Sequence, residues 1–363
     1  SYDSPAVPIE WSRLEYVQGH NEAVAIRPDV MKSIEKFYEQ NPEEAAKEFG
    51  DNPYELKNIL RYWVRNPKEG LQMIPTDSIV LKLDKEAIKR SGMMIPKALN
   101  GEIPEYMHIS LKGKRALYKS ELMMLEMLAN TNWERPMYMA ITVASENHLN
   151  MGNNFMQEGL AYRITPFNTT DMNARIDSEK MYDNLMHKFK FGGIDKDGLY
   201  LDETVLRMCQ THRRLFVQVA GQLIKEGKYD KALKALDYSQ QVIPSKNVPH
   251  DYVMSSSKEM ADDYITLGEY AKASAILDEL GNKAVEYITW YMSLDDERLA
   301  LSYDNCVRNF IILDEVSKSL ERMASKAQQQ AGSEVQAPTE YAEHYRQKFN
   351  DLYDMFNARV GKK

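Results

Sequence analysis

Only two cysteines stand in 363 residues, Cys209 and Cys306, far apart and in no C-x-x-C spacing. That excludes a disulfide scaffold and a cysteine-held structural metal. The seven histidines, His20, His108, His148, His187, His212, His250 and His344, form neither HExxH nor any paired ligand spacing, so no zinc site is expected. A Gly-rich phosphate cradle, a nucleophile elbow and a Cys/His dyad are missing too. No uncharged apolar run approaches the roughly 20 residues that a spanning helix needs. Cations are the minority: 46 Lys and Arg against 54 Asp and Glu leave a net charge of −8. This argues against a nucleic-acid surface and against a polybasic membrane patch. The start, Ser1-Tyr2-Asp3-Ser4-Pro5, lacks the basic and apolar segments of a signal peptide, which alone suggests a cytoplasmic protein. No metal, cofactor or nucleic acid is expected.

Apolar content is 43%, ordinary for a globular protein, and the length allows two or three domains. The organising stretch is residues 130–167. It opens on Trp133-Glu134-Arg135-Pro136, continues in an apolar, β-favouring run at 137–143, and closes on Glu158-Gly159-Leu160-Ala161-Tyr162-Arg163. Strands are predicted at 22–26, 79–83 and 106–111, with helical spacing at 29–40, 42–50, 54–64 and 117–129. The order suggests one small mixed sheet with helices on at least one face, and the run 137–143, being the most apolar, is expected at its centre.

Beyond Asp177 the pattern is helical, with a loop at 191–198 and a long helix opened by Asp202. Gly227-Lys228-Tyr229-Asp230-Lys231-Ala232 matches Gly268-Glu269-Tyr270-Ala271-Lys272-Ala273. Ala220 and Ala261 precede the two glycines by the same interval, and Leu236 and Leu277 follow. Such small residues at a helix–helix contact with a Gly-x-Tyr turn resemble the tetratricopeptide repeat. The glycines stand 41 residues apart, against about 34 in that repeat. The excess fits an insertion at 245–251. A further helix is predicted at 297–327, a polar, mobile linker at 325–339 and a docking helix at 340–363 with Tyr341, Tyr345, Phe349, Leu352, Phe356 and Val360 on one stripe. The fold class is thus α+β and mostly helical: a small mixed-sheet α/β domain at 1–170, then a helical tetratricopeptide-like domain at 177–324.

WERPMYMAIT at 133–142 and FMQEGLAYRITPF at 155–167 resemble the C-terminal soluble region of a family of large multipass membrane proteins. That family is common in Bacteroidetes-type bacteria and is known as a domain of unknown function; its membrane half resembles protein O-mannosyltransferases. Ser4-Pro5 through Trp11, Gly192-Gly193 through Thr204, Gln210-Thr211-His212-Arg213 and Val248-Pro249-His250-Asp251 share the likeness. The resemblance implies a soluble piece following the last membrane span, on the periplasmic face of the inner membrane, and we expect that location over the cytoplasmic one. It also implies protein O-glycosyl transfer by the full-length protein and, for this piece, a non-catalytic accessory role continuous with the membrane half. The repeat groove would bind a polypeptide acceptor or a partner subunit. The alternatives are a scaffold for the membrane half and a free-standing enzyme with its site near Trp133. Asp77-Ser78-Ile79 fits the Asp-Ser/Thr-apolar O-glycosylation pattern of such bacteria, a pattern short enough to arise by chance.

No catalytic residue is assigned. Trp133 and Arg135 could form a ligand-facing corner, a stacking face beside a guanidinium fork. The plainer alternative is that Trp133 closes a helix-to-strand turn and Arg135 pairs locally. Glu158 and Arg163, around Gly159, are either a functional pair or a brace. His212 and Arg213, next to Arg214, could line an anion site or lie on a solvated helix face. Asp195-Lys196-Asp197-Gly198 has the start of a calcium loop but lacks its third acid and late Glu.

Overall fold

A computed structural model describes residues 23–65, 72–331 and 337–360. The lead-in with Ser4-Pro5 and Trp11 lies outside the described residues. The chain divides into two compact units, 1–177 and 178–363.

The first unit begins with β1 (Ala23–Ile26), α1 (Met31–Gln40), α2 (Pro42–Phe49) and α3 (Leu56–Asn58). Pro42 fills the first turn of α2, where a missing N–H costs nothing. The Glu55 carboxylate caps α3 by accepting from Lys57 and Asn58 N–H. The helix then widens into a π-helical turn, Ile59–Arg65. There follow β2 (Met73–Ile74), β3 (Ser78–Lys82), α4 (Lys85–Arg90), β4 (Tyr106–Ser110), β5 (Ala116–Tyr118), α5 (Lys119–Asn130), β6 (Tyr138–Ala140), β7 (Phe155–Gln157) and β8 (Ala161–Ile164).

These strands make three small sheets, not one. β1 lies between β2, parallel, and β5, antiparallel; β3 pairs antiparallel with β4; β8 lies between β6 and β7, antiparallel to both. The expected central strand at 137–143 is therefore corrected. Only Tyr138–Ala140 is strand, and it is an edge. Met139 is buried while Tyr138 and Ala140 are exposed, so one face of this run meets the core and an edge strand suffices. One hydrophobic core joins the sheets through Val24, Leu56, Ile79, Met107, Leu117 and Leu122. No residue of α5 from Glu121 to Asn130 is exposed, in line with its nearly all-round apolar character.

The second unit starts with α6 (Ser178–Asp183), which runs into a π-helical turn, Asn184–Lys188. Next come α7 (Glu203–Lys225), α8 (Tyr229–Val242), α9 (Ser257–Thr266), α10 (Tyr270–Ser293), α11 (Asp296–Leu301), α12 (Tyr303–Ala331) and α13 (Ala337–Val360). The Asp202 carboxylate caps α7 through Val205 N–H at 2.9 Å. α7 packs on α8 and α9 on α10, each pair joined by three residues and hence antiparallel. Both turns have one geometry. Lys228 N–H reaches the Leu223 carbonyl at 2.8 Å and Gly227 N–H the Ile224 carbonyl at 3.0 Å. Glu269 and Gly268 repeat this to Tyr264 and Ile265 at 2.9 and 3.3 Å. This double bond after a helix requires a left-handed residue, and Gly227 and Gly268 supply it at φ +75° and +81°. Ala220, Ala261, Ala232, Ala273, Leu236 and Leu277 are all fully buried.

The helix expected at 297–327 breaks at Ser302 into α11 and α12. α12 then continues to Ala331, so 325–331 is helix where a linker was expected; 332–336 lie outside the described residues. α13 docks on α10 and α12. Its seam is Ala342, Tyr345, Phe349, Leu352 and Phe356, with Tyr341 off the stripe and 46% exposed. The fully buried Tyr345 lies over Gly281, and its hydroxyl donates to Asp278 Oδ1 at 2.6 Å. A Cβ at Gly281 would meet the Tyr345 ring. Gly281→Ala should therefore destabilise the chain by about 1–3 kcal/mol through overpacking, despite Ala's better helix propensity. Urea unfolding measures this; a stability gain would refute the close approach.

Candidate functional site: a cleft in the helical unit

The site is built on a charge that the sequence places on an apolar face. On α7, Cys209, Arg213, Phe216 and Ala220 follow at helical spacing, and all are buried. The Arg213 side chain is 0% exposed. Its guanidinium donates to the carbonyls of Ile243 at 2.8 Å, Val248 at 2.6 Å and Pro249 at 3.1 Å. Burial lowers its pKa to about 10, against the pull of Glu279, Cys209 and Asp251. The segments 210–213 and 248–251 thus meet at one guanidinium. The loop at 191–198 joins them: Asn247 donates to the carbonyls of Ile194 and Lys196 at 2.7 Å each, and Lys246 pairs with Asp197. These contacts tie the would-be calcium loop into a loop–loop bridge. Among the described residues no group of three or more His, Cys, Asp or Glu could hold a metal.

Held this way, the segment after α8 brings His250 inside, 2% exposed. Burial and then the nearby Arg213 push its pKa down to about 3, so the imidazole is neutral. Gln240 Nε2 lies 3.3 Å from Nε2, and Ser257 Oγ lies 2.8 Å from Nδ1. The consistent assignment has Nε2 accepting from Gln240 and Nδ1–H donating to Ser257. Ser257 then continues to Ser255 at 2.7 Å, and Ser255 to the Asp251 carbonyl at 2.8 Å. His250 N–H donates to Glu279 Oε1 at 2.7 Å.

On the outer side of His250 a cleft of about 510 Å³ opens between α8 and α10. Ala275, Ile276 and Pro244 give it apolar walls; Asp237, Gln240, Ser245, Tyr264, Lys272 and Glu279 give it polar ones. Tyr264 and Lys272 both donate to Asp237, at 3.0 Å and at 2.8 and 2.9 Å. Burial and then Asp237 raise the Tyr264 pKa. The arrangement offers fixed donors and acceptors beside apolar walls, which suits binding.

The sequence-based candidates are placed otherwise. Trp133 is 5% exposed within the core of the first unit. It takes a left-handed φ of +61° after Asn132 at +47°, a cost that its burial offsets. Arg135 lies at the surface, so the two do not make a ligand-facing corner. Glu158 and Arg163 do meet, at 3.6 Å and almost fully buried, and Arg163 also donates to the Ser91 carbonyl at 2.9 Å. Tyr138 donates to Glu158 at 2.6 Å. His212 is half-buried, its Nδ1 2.7 Å from the Met208 carbonyl and its ring against Phe189 and Phe191. Ser78 is exposed at the start of β3. Sequence reasoning missed Asp237, Gln240, His250, Tyr264, Lys272 and Glu279. The usable signals were the seven-residue insertion and the 248–251 block.

Two buried groups of the second hairpin titrate in opposite senses. Burial and then Asp262 and Glu259 raise the Asp263 carboxyl from 3.8 to about 7, with Lys225 opposing. The fold keeps a proton there that the unfolded chain releases, so stability present below pH 4 is lost as pH rises to about 7. His250 does the reverse: its contribution is complete above 6.5 and is lost as pH falls towards 3. Asp263→Asn should leave stability unchanged near pH 3.5 and raise it by about 1–3 kcal/mol at pH 8. Thermal unfolding of both proteins across that range checks it; a pH-independent difference would count against the shift.

Among the described residues no helix is long and apolar enough to cross a membrane. No curated protein and no solved structure matches the chain. Residues 1–180 match the family model of TMEM260-associated domain 2, so the first unit in its entirety is similar to that family.

Proposed function

We propose that this chain is a non-catalytic, extracytoplasmic accessory part of a membrane glycosyltransferase-like protein. Its helical unit, organised as tetratricopeptide-like hairpins, holds a polypeptide acceptor or a partner subunit in the cleft between α8 and α10. The likeness of residues 1–180 to TMEM260-associated domain 2 supports the link to such a membrane protein. The observation that carries the binding role is the cleft itself. It lies between two hairpins closed by the same turn, and it offers apolar walls beside fixed hydrogen-bonding groups, a combination suited to a polypeptide segment. The periplasmic location follows from the same membrane-protein reading.

One observation favours a scaffold instead: Asp237, Lys272, Tyr264 and Gln240 already satisfy one another or His250. The two readings part on a steric block. Ala275 is exposed and lines the cleft, so Ala275→Trp fills the space without touching the core. In the full-length protein in its native host, this variant should lower acceptor glycosylation at least tenfold while keeping its abundance. Unchanged glycosylation at normal abundance would leave the scaffold as the better account.

A further inference from the structure

We infer that the polypeptide segment received by the cleft presents one basic side chain, Lys or Arg, to Glu279. This deepens the polypeptide-binding reading and rests on it.

Besides Tyr264, which donates to Asp237, the ionisable residues lining the cleft are Asp237, Glu279, Lys272 and His250. They are not equivalent. Asp237 is satisfied, with both oxygens on Lys272 and one also on Tyr264. Lys272 divides its charge between Asp237 and Glu269, at 2.8 and 3.1 Å. His250 is neutral, closed in on both ring nitrogens by Gln240 and Ser257. Glu279 remains. Its Oε1 is fixed by His250 N–H at 2.7 Å, which orients the carboxylate, while among the described residues no hydrogen bond engages Oε2. The lining therefore carries one carboxylate more than its cations. The buried cation behind it, Arg213, does not line the cleft and gives both its terminal nitrogens to carbonyls.

A partly buried carboxylate held in one orientation, with one oxygen unused, is the acceptor half of a charge-assisted hydrogen bond. The walls beside it suit the donor half. Ile276, Ala275 and Pro244 offer apolar surface for the methylene stem of a long cationic side chain. Gln240 and Ser245 offer further acceptor oxygens for its remaining N–H groups. An acidic side chain would meet Glu279 and Asp237 with only one lysine, already paired, between them. The volume of about 510 Å³ exceeds one side chain and leaves room for the backbone that carries it.

The test pans a random peptide display library on the whole chain, on Ala275→Trp, on Glu279→Gln and on Glu279→Lys. Gln keeps the acceptor for His250 N–H, so the wall is preserved. The expected result is a set of peptides sharing one Lys or Arg position. Their binding should vanish on Ala275→Trp, weaken about tenfold on Glu279→Gln, and give way on Glu279→Lys to peptides with Asp or Glu at that position. Peptides that depend on Ala275 but show no basic position would overturn this inference and leave the polypeptide reading standing. No peptide dependent on Ala275 would overturn both.

Discussion

The helical unit depends on one guanidinium kept from water. Moving such a charge inside is costly unless its donors are met, and Arg213 offsets most of that cost with three backbone carbonyls on its two terminal nitrogens, Nε alone going without a hydrogen bond among the described residues. Those carbonyls lie where α8 ends and in the loop beyond, so satisfying Arg213 dictates the path of the chain between the two hairpins. The path fixes His250, and the positive charge helps keep its imidazole neutral. A neutral ring with one donor and one acceptor can then relay from Gln240 on α8 to Ser257 at the start of α9. This relay replaces an ordinary cap: Ser256 precedes α9 in a left-handed conformation, and its side chain makes no capping bond. The start of the second hairpin is thereby tied to the middle of α7.

The first unit solves a different problem with the same device. Its strands are two to five residues long, too short for pairing alone to specify register firmly. Buried charge supplies what the ladders lack. Arg163 in β8 reaches Glu158 across the turn and the Ser91 carbonyl after α4. Glu126 in α5 receives Arg65 at the end of the π-helical turn, at 3.3 Å. Each joins segments far apart in sequence. Such buried pairs act through geometry more than through net stability. In the block 130–167, Glu158 and Arg163 are thus held in a buried bracing contact.

What could be read from the sequence follows from this. The paired glycines were legible because only a left-handed residue closes that helix end, and the match at 227 and 268 is a match of turn geometry. The stripe of α13 was legible from period alone. Misplacing the strand at 137–143 came from reading total apolarity where alternation mattered: Met139 faces inward between two exposed neighbours. Arg213 was harder. Beside His212 and Arg214 it looks like a solvated cluster, yet its interval from Cys209 and Phe216 puts it on the buried stripe. Period outweighed the local run of charge. The cleft residues were not legible, since Asp237, Gln240 and Lys272 are ordinary surface residue types until the insertion folds over them.

The segment at 245–251 also bounds the cleft. A stack of hairpins generally extends its concave face with each repeat. Here the face stops after two. On one side of the second hairpin α12 and α13 cover α10, with Tyr345 filling the space over Gly281, so no third equivalent hairpin can add to the stack there. At the other end the residues following α8 wrap Arg213 and close the groove with His250 and Pro244. Under the binding role proposed above, a groove closed at one end and capped on its flank would take one short segment rather than a long one, and its selectivity would rest on very few groups. Those with spare hydrogen-bonding capacity are few, because most polar residues of the lining are engaged with one another. Glu279, oriented from behind by the backbone that Arg213 positions, is the group through which the buried charge and the open surface are mechanically connected.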